Sequence, residues 1–82
     1  MQQNVTFELR TDHITLDALL KATALASSGG AAKQMILEGQ VQVDGLVEQR
    51  RGRKVRANNV VRVHTPDSVH VIHVQASAEN GP

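Results

Sequence analysis

Hydrophobic and polar residues alternate at the start of the chain. From Val5 to Arg10 each apolar residue is followed by a polar one, and this period of two predicts a half-buried strand. Apolar residues then recur three and four positions apart, which predicts a first helix from Leu16 to Ala26. Thr15 supplies an N-cap for this helix, and Asp17 places an acidic group in its first turn.

A second helix is predicted after a short serine turn. Ser28 is a favourable N-cap, and the apolar stripe that follows contains Ala32, Met35 and Ile36. Gly39 is a natural residue for the position after the last helical turn, because glycine adopts left-handed backbone angles without strain. The pattern therefore predicts two short helices, the second about ten residues long.

After Gly39, apolar and polar residues alternate again, and this pattern predicts a hairpin. Val41 and Val43 alternate with glutamines, and the next pair, Asp44-Gly45, strongly favours a two-residue turn between antiparallel strands. The returning strand is predicted over residues 46–49.

Two further strands are predicted in the second half, over residues 60–63 and 69–74. Asn58 and Asn59 form the turn before the first of them, because asparagine tolerates left-handed angles. The last strand could pair with the opening one. We therefore expect an α+β domain over residues 1–75, with two short helices packed on a small, mainly antiparallel sheet and an added terminal strand pair. Residues 76–82 are short and polar, and we expect a flexible tail there.

Composition narrows the classes of function. The chain has 82 residues, of which 40% are hydrophobic and only one, Phe7, is aromatic. The core must therefore be aliphatic, and no aromatic platform is available for stacking single-stranded bases. The absence of cysteine excludes disulfides and thiolate catalysis. No apolar run is long enough for a membrane helix, and we expect a cytoplasmic protein.

The positive charge is concentrated in one segment. Residues 40–62 have a formal balance of +4, whereas residues 1–39 have −1 and residues 63–82 have −2. Five of the seven residues in the segment Arg50–Arg56 are cationic. By charge alone such a run is either a solvated loop or a contact for a polyanion.

The sequence from Ser28 to Gly45 resembles the signature of the S4-like RNA-binding domain. It combines a serine cap, a helix with an apolar pair, a glycine and the hairpin Val-Gln-Val-Asp-Gly. The resemblance extends over roughly residues 14–63. It is nearest to small stand-alone bacterial members, which share the Gly-Gly-x-Ala-Lys helix start and the Arg-Arg-Gly-x-Lys segment.

Two positions depart from that family pattern. Gly29 and Gly30 stand where many members have an arginine or lysine directly after the serine, although Lys33 projects from the same helical face one turn later. The open glycine N–H groups at a helix start also suit an anion. Asn58-Asn59 replaces a common Gly-Asp before the last shared strand, and we interpret it as a tolerated turn change.

The resemblance implies the αL RNA-binding motif, in which the second helix and the basic segment together grip structured RNA of the ribosomal or transfer class. In this sequence the candidate contact residues, chosen for their charge and for their place at the helix start, are Ser28, Gly29, Gly30, Lys33, Arg50, Arg51, Arg53 and Lys54. Arg56 ranks lower, because in an extended segment it cannot share one face with all of the others.

A catalytic function is not expected, since no nucleophile has an orienting base and no nucleotide-binding glycine motif occurs. The four histidines are too scattered for a metal site, and no cofactor is predicted. The alternatives are a protein-interaction module whose basic loop binds an acidic partner, and an accessory that delivers RNA to a separate enzyme.

Overall fold

The computed structural model describes residues 1–77, which form a β-sheet and two helices that share one hydrophobic core. The elements in chain order are β1 (Gln2–Leu9), β2 (Ile14–Thr15), α1 (Leu16–Ala22), α2 (Gly29–Leu37), β3 (Val41–Val43), β4 (Leu46–Val47), β5 (Lys54–Val55), β6 (Val60–His64) and β7 (Val69–Ala76).

Five strands form the main sheet in the order β1-β7-β6-β3-β4. The contact between β1 and β7 is parallel, and the other three pairings are antiparallel. The α+β class, the mostly antiparallel sheet and the pairing of the last strand with the first are therefore confirmed. β1 begins at Gln2, three residues earlier than predicted, because backbone pairing with β7 orders exposed polar residues that carry no hydrophobic signal.

Alternate residues of the main-sheet strands face the helices and form the core. The strand residues are Leu9, Val41, Val43, Val61, Val63, Ile72 and Val74, and the helical ones are Leu16, Leu19, Leu20, Ala32 and Ile36. Phe7 packs against this cluster and is only partly buried. The core is aliphatic, as the composition predicts.

The first helix ends at Ala22, so the predicted end at Ala26 is wrong. The Thr23 hydroxyl donates to the carbonyl oxygen of Leu19 at 2.9 Å, and Ala24 adopts a left-handed conformation with φ of 63°. The left-handed residue directly after the C-cap ends the helix. Ala26 is nevertheless buried in the core, which explains why its apolar character extended the helical pattern.

The second helix and the hairpin follow the local sequence signals. The Ser28 hydroxyl accepts a hydrogen bond from the Ala31 N–H at 3.1 Å, and Gly39 has a φ of 79° just after the helix. Asp44 and Gly45 also have positive φ values, of 52° and 88°, as a two-residue turn of this kind requires. The returning strand is shorter than predicted and ends at Val47.

A separate ladder of two residue pairs was not predicted. Ile14 pairs with Val55, and Thr15 pairs with Lys54, so the basic segment lies beside the start of α1. Val55 is fully buried, and this apolar residue anchors an otherwise polar stretch.

The last strand continues to Ala76, two residues beyond its predicted end. The Ser77 N–H donates to the carbonyl oxygen of Leu9 at 2.9 Å. The rest of the predicted tail, residues 78–82, lies outside the described residues.

We predict that Gly39→Ala lowers the free energy of unfolding by about 1 kcal/mol, because a left-handed residue with a Cβ is strained. A Cβ at this position would lie 3.9 Å from a Val47 methyl group, so no clash adds to the cost. Urea unfolding measures the change. Gly52→Ala is the matched control, since Gly52 has no positive φ and open space around it; equal destabilisation of both variants would contradict the prediction.

Candidate nucleic-acid interface

The first turn of α1 holds the backbone of the basic segment, Arg50–Arg56. The N–H of Leu16 donates to the carbonyl oxygen of Arg53 at 2.9 Å, and the N–H of Asp17 donates to that of Arg51 at 3.1 Å. The first N–H groups of a helix have no partner within the helix. The basic segment therefore caps α1, and the helix in turn fixes the path of the segment.

This arrangement corrects the predicted side-chain cap. Thr15 occupies the N-cap position, but its side chain makes no capping hydrogen bond. Asp17 does lie in the first turn, where its carboxylate accepts a hydrogen bond from the Ala18 N–H at 2.9 Å. The capping acceptors come from a segment more than 30 residues away in the chain, which local sequence signals cannot reveal.

Glu48 is the acidic group next to the basic segment, and it is 8% exposed. One carboxylate oxygen accepts from the backbone N–H of Arg50 at 3.1 Å and from its Nε at 3.0 Å. The other accepts from Arg50 Nη2 at 3.1 Å and from Arg53 Nη1 at 2.9 Å. A carboxylate has about four acceptor sites, so those of Glu48 are filled.

These contacts alter the ionisation of the pair. The hydrogen bond from Arg50, followed by that from Arg53, lowers the pKa of Glu48 from 4.5 to about 2. The same hydrogen bond raises the pKa of Arg50. Sequence reasoning missed Glu48 as part of the site; the available signal was a lone acidic residue two positions before a cationic run.

A cleft of about 400 Å³ opens beside this ion pair and is lined by Arg50, Gly52, Arg53 and Lys54. The side chain of Arg50 is 75% exposed and that of Arg53 is 34% exposed. Lys54 lies on β5 and is exposed, whereas its neighbour Val55 faces the core. Three cationic side chains therefore surround one small concave surface, and Glu48 is not among the lining residues.

Arg51 and Arg56 lie in the same segment but do not line the cleft. The Arg51 side chain is exposed and makes no hydrogen bond or ion pair within residues 1–77. Arg56 forms an ion pair with Asp12, and this contact lowers the pKa of Asp12. His13 lies beside the pair, with its Nδ1 3.6 Å from the same carboxylate oxygen. Arg56 is thus directed toward the β1–β2 connection.

The predicted residues at the start of α2 are not part of the cleft lining. Ser28, Gly29, Gly30 and Lys33 lie in the first half of the helix and do not line the cleft. The other end of α2 contacts the residue directly before the basic segment, because Gln49 Nε2 donates to the Leu37 carbonyl oxygen at 3.1 Å. A helix of nine residues is about 13 Å long, so Gly29 lies a helix length from that contact.

The described residues lack the features of a metal site and of a membrane-spanning helix. Within residues 1–77 no group of three or more histidine and acidic side chains is arranged to hold a metal ion. Neither helix of the described part combines the length and the apolar character that crossing a membrane requires.

A sequence profile of the S4 domain matches residues 7–72 of the chain. The chain belongs to the S4 domain family. The matched region of this S4 domain includes both helices, the hairpin and the whole basic segment.

Two bacterial proteins are similar to this S4 domain over most of their length. The first is "Putative RNA-binding protein YbcJ" of Escherichia coli K12, which is 46% identical over 57 residues, covering 68% of this chain and 81% of that protein. The second is "Probable ribosome maturation protein RlbA" of Bacillus subtilis 168, which is 36% identical over 63 residues, covering 77% of this chain and 89% of that protein.

We predict that Glu48 makes the stability of the S4 domain fall in acid. A carboxylate whose pKa is lower in the folded state stabilises the fold above its unfolded value of 4.5, and the stabilisation is lost as pH falls through about 2. The contribution is about 1–2 kcal/mol, since Arg50 is largely solvent-screened.

Urea unfolding of the wild type and of Glu48→Gln between pH 7 and pH 2.5 measures this contribution. The difference in unfolding free energy is expected to be constant above about pH 5 and to shrink below 4.5. Asp12 remains in both proteins, so its acid titration cancels in the comparison. If the difference in unfolding free energy between the two proteins stays the same from pH 7 to pH 2.5, the lowered pKa of Glu48 is not the cause of the acid destabilisation.

Proposed function

We propose that this S4 domain is a non-catalytic RNA-binding protein that contacts the phosphate backbone of structured RNA of the ribosomal or transfer class. The observation that carries the proposal is the cleft lined by Arg50, Arg53 and Lys54. The names of the two relatives, one an RNA-binding protein and the other a ribosome maturation protein, support the same class of ligand.

The chemistry of the cleft suits a phosphate. A guanidinium carries five N–H donors in a planar fork that matches two phosphate oxygens. Arg50 uses two of its guanidinium donors on Glu48 and Arg53 uses one, which leaves three and four donors for a ligand. Lys54 adds a mobile point charge.

The mode of recognition follows from the lack of exposed aromatic residues. Phe7, the one aromatic side chain of the sequence, packs against the core. The chain therefore offers no platform of Phe, Tyr or Trp rings, on which single-stranded bases usually stack. Binding through backbone geometry favours helices, loops and junctions of a folded RNA over a linear sequence motif.

The start of α2 is the second proposed contact. The Ser28 hydroxyl and carbonyl oxygens accept from Ala31 and Ala32, so the N–H groups of Gly29 and Gly30 are left for a phosphate. A Cβ at Gly29 would meet nothing within 4 Å, which indicates an open approach. Lys33 lies one turn further along the same face. Contacts at two separate places require an RNA with a defined shape.

We predict that Arg51→Ala combined with Lys54→Ala weakens binding to structured RNA about tenfold and makes the log–log salt dependence shallower by about 1.5, because two phosphate contacts are lost. Neither side chain has a protein partner within residues 1–77, so the fold is expected to be unchanged. Titration of fluorescent transfer RNA and of ribosomal RNA fragments at several salt concentrations measures both effects.

The matched control is Lys21→Ala combined with Arg62→Ala, which removes the same charge from the end of α1 and from β6. This variant is expected to change binding by about twofold at most, through net charge alone. Equal losses in both variants, or no loss in the first, would contradict the proposed site. Failure of the wild type to bind any structured RNA at low salt would favour an acidic protein partner.

A further inference from the structure

A buried carboxylate beside an RNA-binding cleft opposes the function of the cleft. The charge of Glu48 repels phosphates and offsets one of the three cations that line the surface. A glutamine or an apolar residue at this position would raise the local positive charge. The carboxylate therefore has to contribute something other than charge if the cleft binds RNA.

The contribution is visible in the hydrogen bonds of the two arginines. Glu48 holds the Arg50 guanidinium by both Nε and Nη2, at 3.0 and 3.1 Å, and thereby sets the orientation of its plane. It holds Arg53 by Nη1 at 2.9 Å. An unrestrained arginine loses rotamer freedom when it binds a ligand. In this cleft both guanidinium groups already have a hydrogen-bond partner in the folded protein.

The backbone around these side chains is also fixed. The Arg53 N–H donates to the Arg50 carbonyl oxygen at 3.2 Å and closes a turn around Gly52. The carbonyl oxygen of Arg53 accepts from the N–H of Leu16 in α1. The positions of the two guanidinium groups are therefore determined at both the backbone and the side-chain end.

We propose that Glu48 is a positioning residue that makes the cleft selective for RNA of fixed backbone geometry over flexible polyanions. This inference rests on the proposed function of the cleft. Guanidinium groups that are already held in place lose little side-chain entropy when they bind phosphates at a matching spacing. The affinity for a flexible polyanion instead depends mainly on the net charge of the cleft. Glu48 strengthens the first interaction and weakens the second.

Three variants separate positioning from charge. Glu48→Asp keeps the charge and withdraws the carboxylate by one methylene, about 1.5 Å. Glu48→Gln removes the charge and leaves one acceptor oxygen. Glu8→Gln is the control, because Glu8 is an exposed carboxylate on β1, at the opposite edge of the sheet from β4. Each variant is titrated with transfer RNA and with poly(U) over a salt series, after thermal unfolding has shown that it is folded.

If Glu48 acts by positioning, its variants should affect the binding of transfer RNA and of poly(U) differently. Glu48→Asp is expected to bind transfer RNA about tenfold more weakly and poly(U) within about twofold of the wild type. Glu48→Gln is expected to bind transfer RNA more weakly but poly(U) more tightly, with a salt slope steeper by about 1. Glu8→Gln is expected to change both affinities by the same small factor.

Other outcomes are equally informative. If Glu48→Asp binds transfer RNA like the wild type, or if Glu48→Gln binds both ligands more tightly by one factor, Glu48 acts through charge alone and the inference is wrong, with the proposed function intact. If wild-type protein binds transfer RNA no better than poly(U), the cleft is not selective and the inference is wrong; if it binds neither RNA at low salt, the proposed function itself fails.

A further variant covers the case in which the Glu48 variants do not fold. Arg53→Lys keeps the cation count and leaves Glu48 bonded to Arg50, but it removes the guanidinium fork. The inference then requires a selective loss of transfer RNA binding, and an unchanged ratio of the two affinities overturns it.

Discussion

The two backbone hydrogen bonds between the start of α1 and the basic segment fix the position of that segment on the domain. The N–H groups of Leu16 and Asp17 need acceptors, and the carbonyl oxygens of Arg53 and Arg51 supply them. A run of like charges repels itself and tends to remain mobile. Here the helix terminus gives the run a fixed path, and the β2–β5 ladder with the buried Val55 continues it into the core.

Two carboxylates pair with three of the five cationic residues of the basic segment. Asp12 pairs with Arg56 at the exposed end of the segment, an interaction of small energetic value because both groups are solvated. Glu48 is buried and holds Arg50 and Arg53. Arg50, Arg53 and Arg56 therefore have acidic partners, whereas the side chains of Arg51 and Lys54 have none within residues 1–77.

Local signals were sufficient for much of the fold. The serine cap of α2, the glycine after it and the Asp44-Gly45 turn act through neighbouring atoms, and all three have the predicted geometry. The predicted end of α1 was wrong because Ala26 packs in the core without being part of the helix. The β2–β5 ladder was missed because two residue pairs are too short to produce a period.

The sequence by itself determined the α+β class, the aliphatic core, the hairpin and the place of the positive charge, since each depends on residue type and on spacing along the chain. Only the tertiary structure decided how that charge is arranged. It separated the α2 residues from the cleft, turned Arg56 toward Asp12 and placed Glu48 between two arginines. Folding brings together partners such as Leu16 and Arg53, which are 37 positions apart in the chain. A backbone hydrogen bond between them does not depend on the types of the residues around it, so it produces no pattern in the sequence.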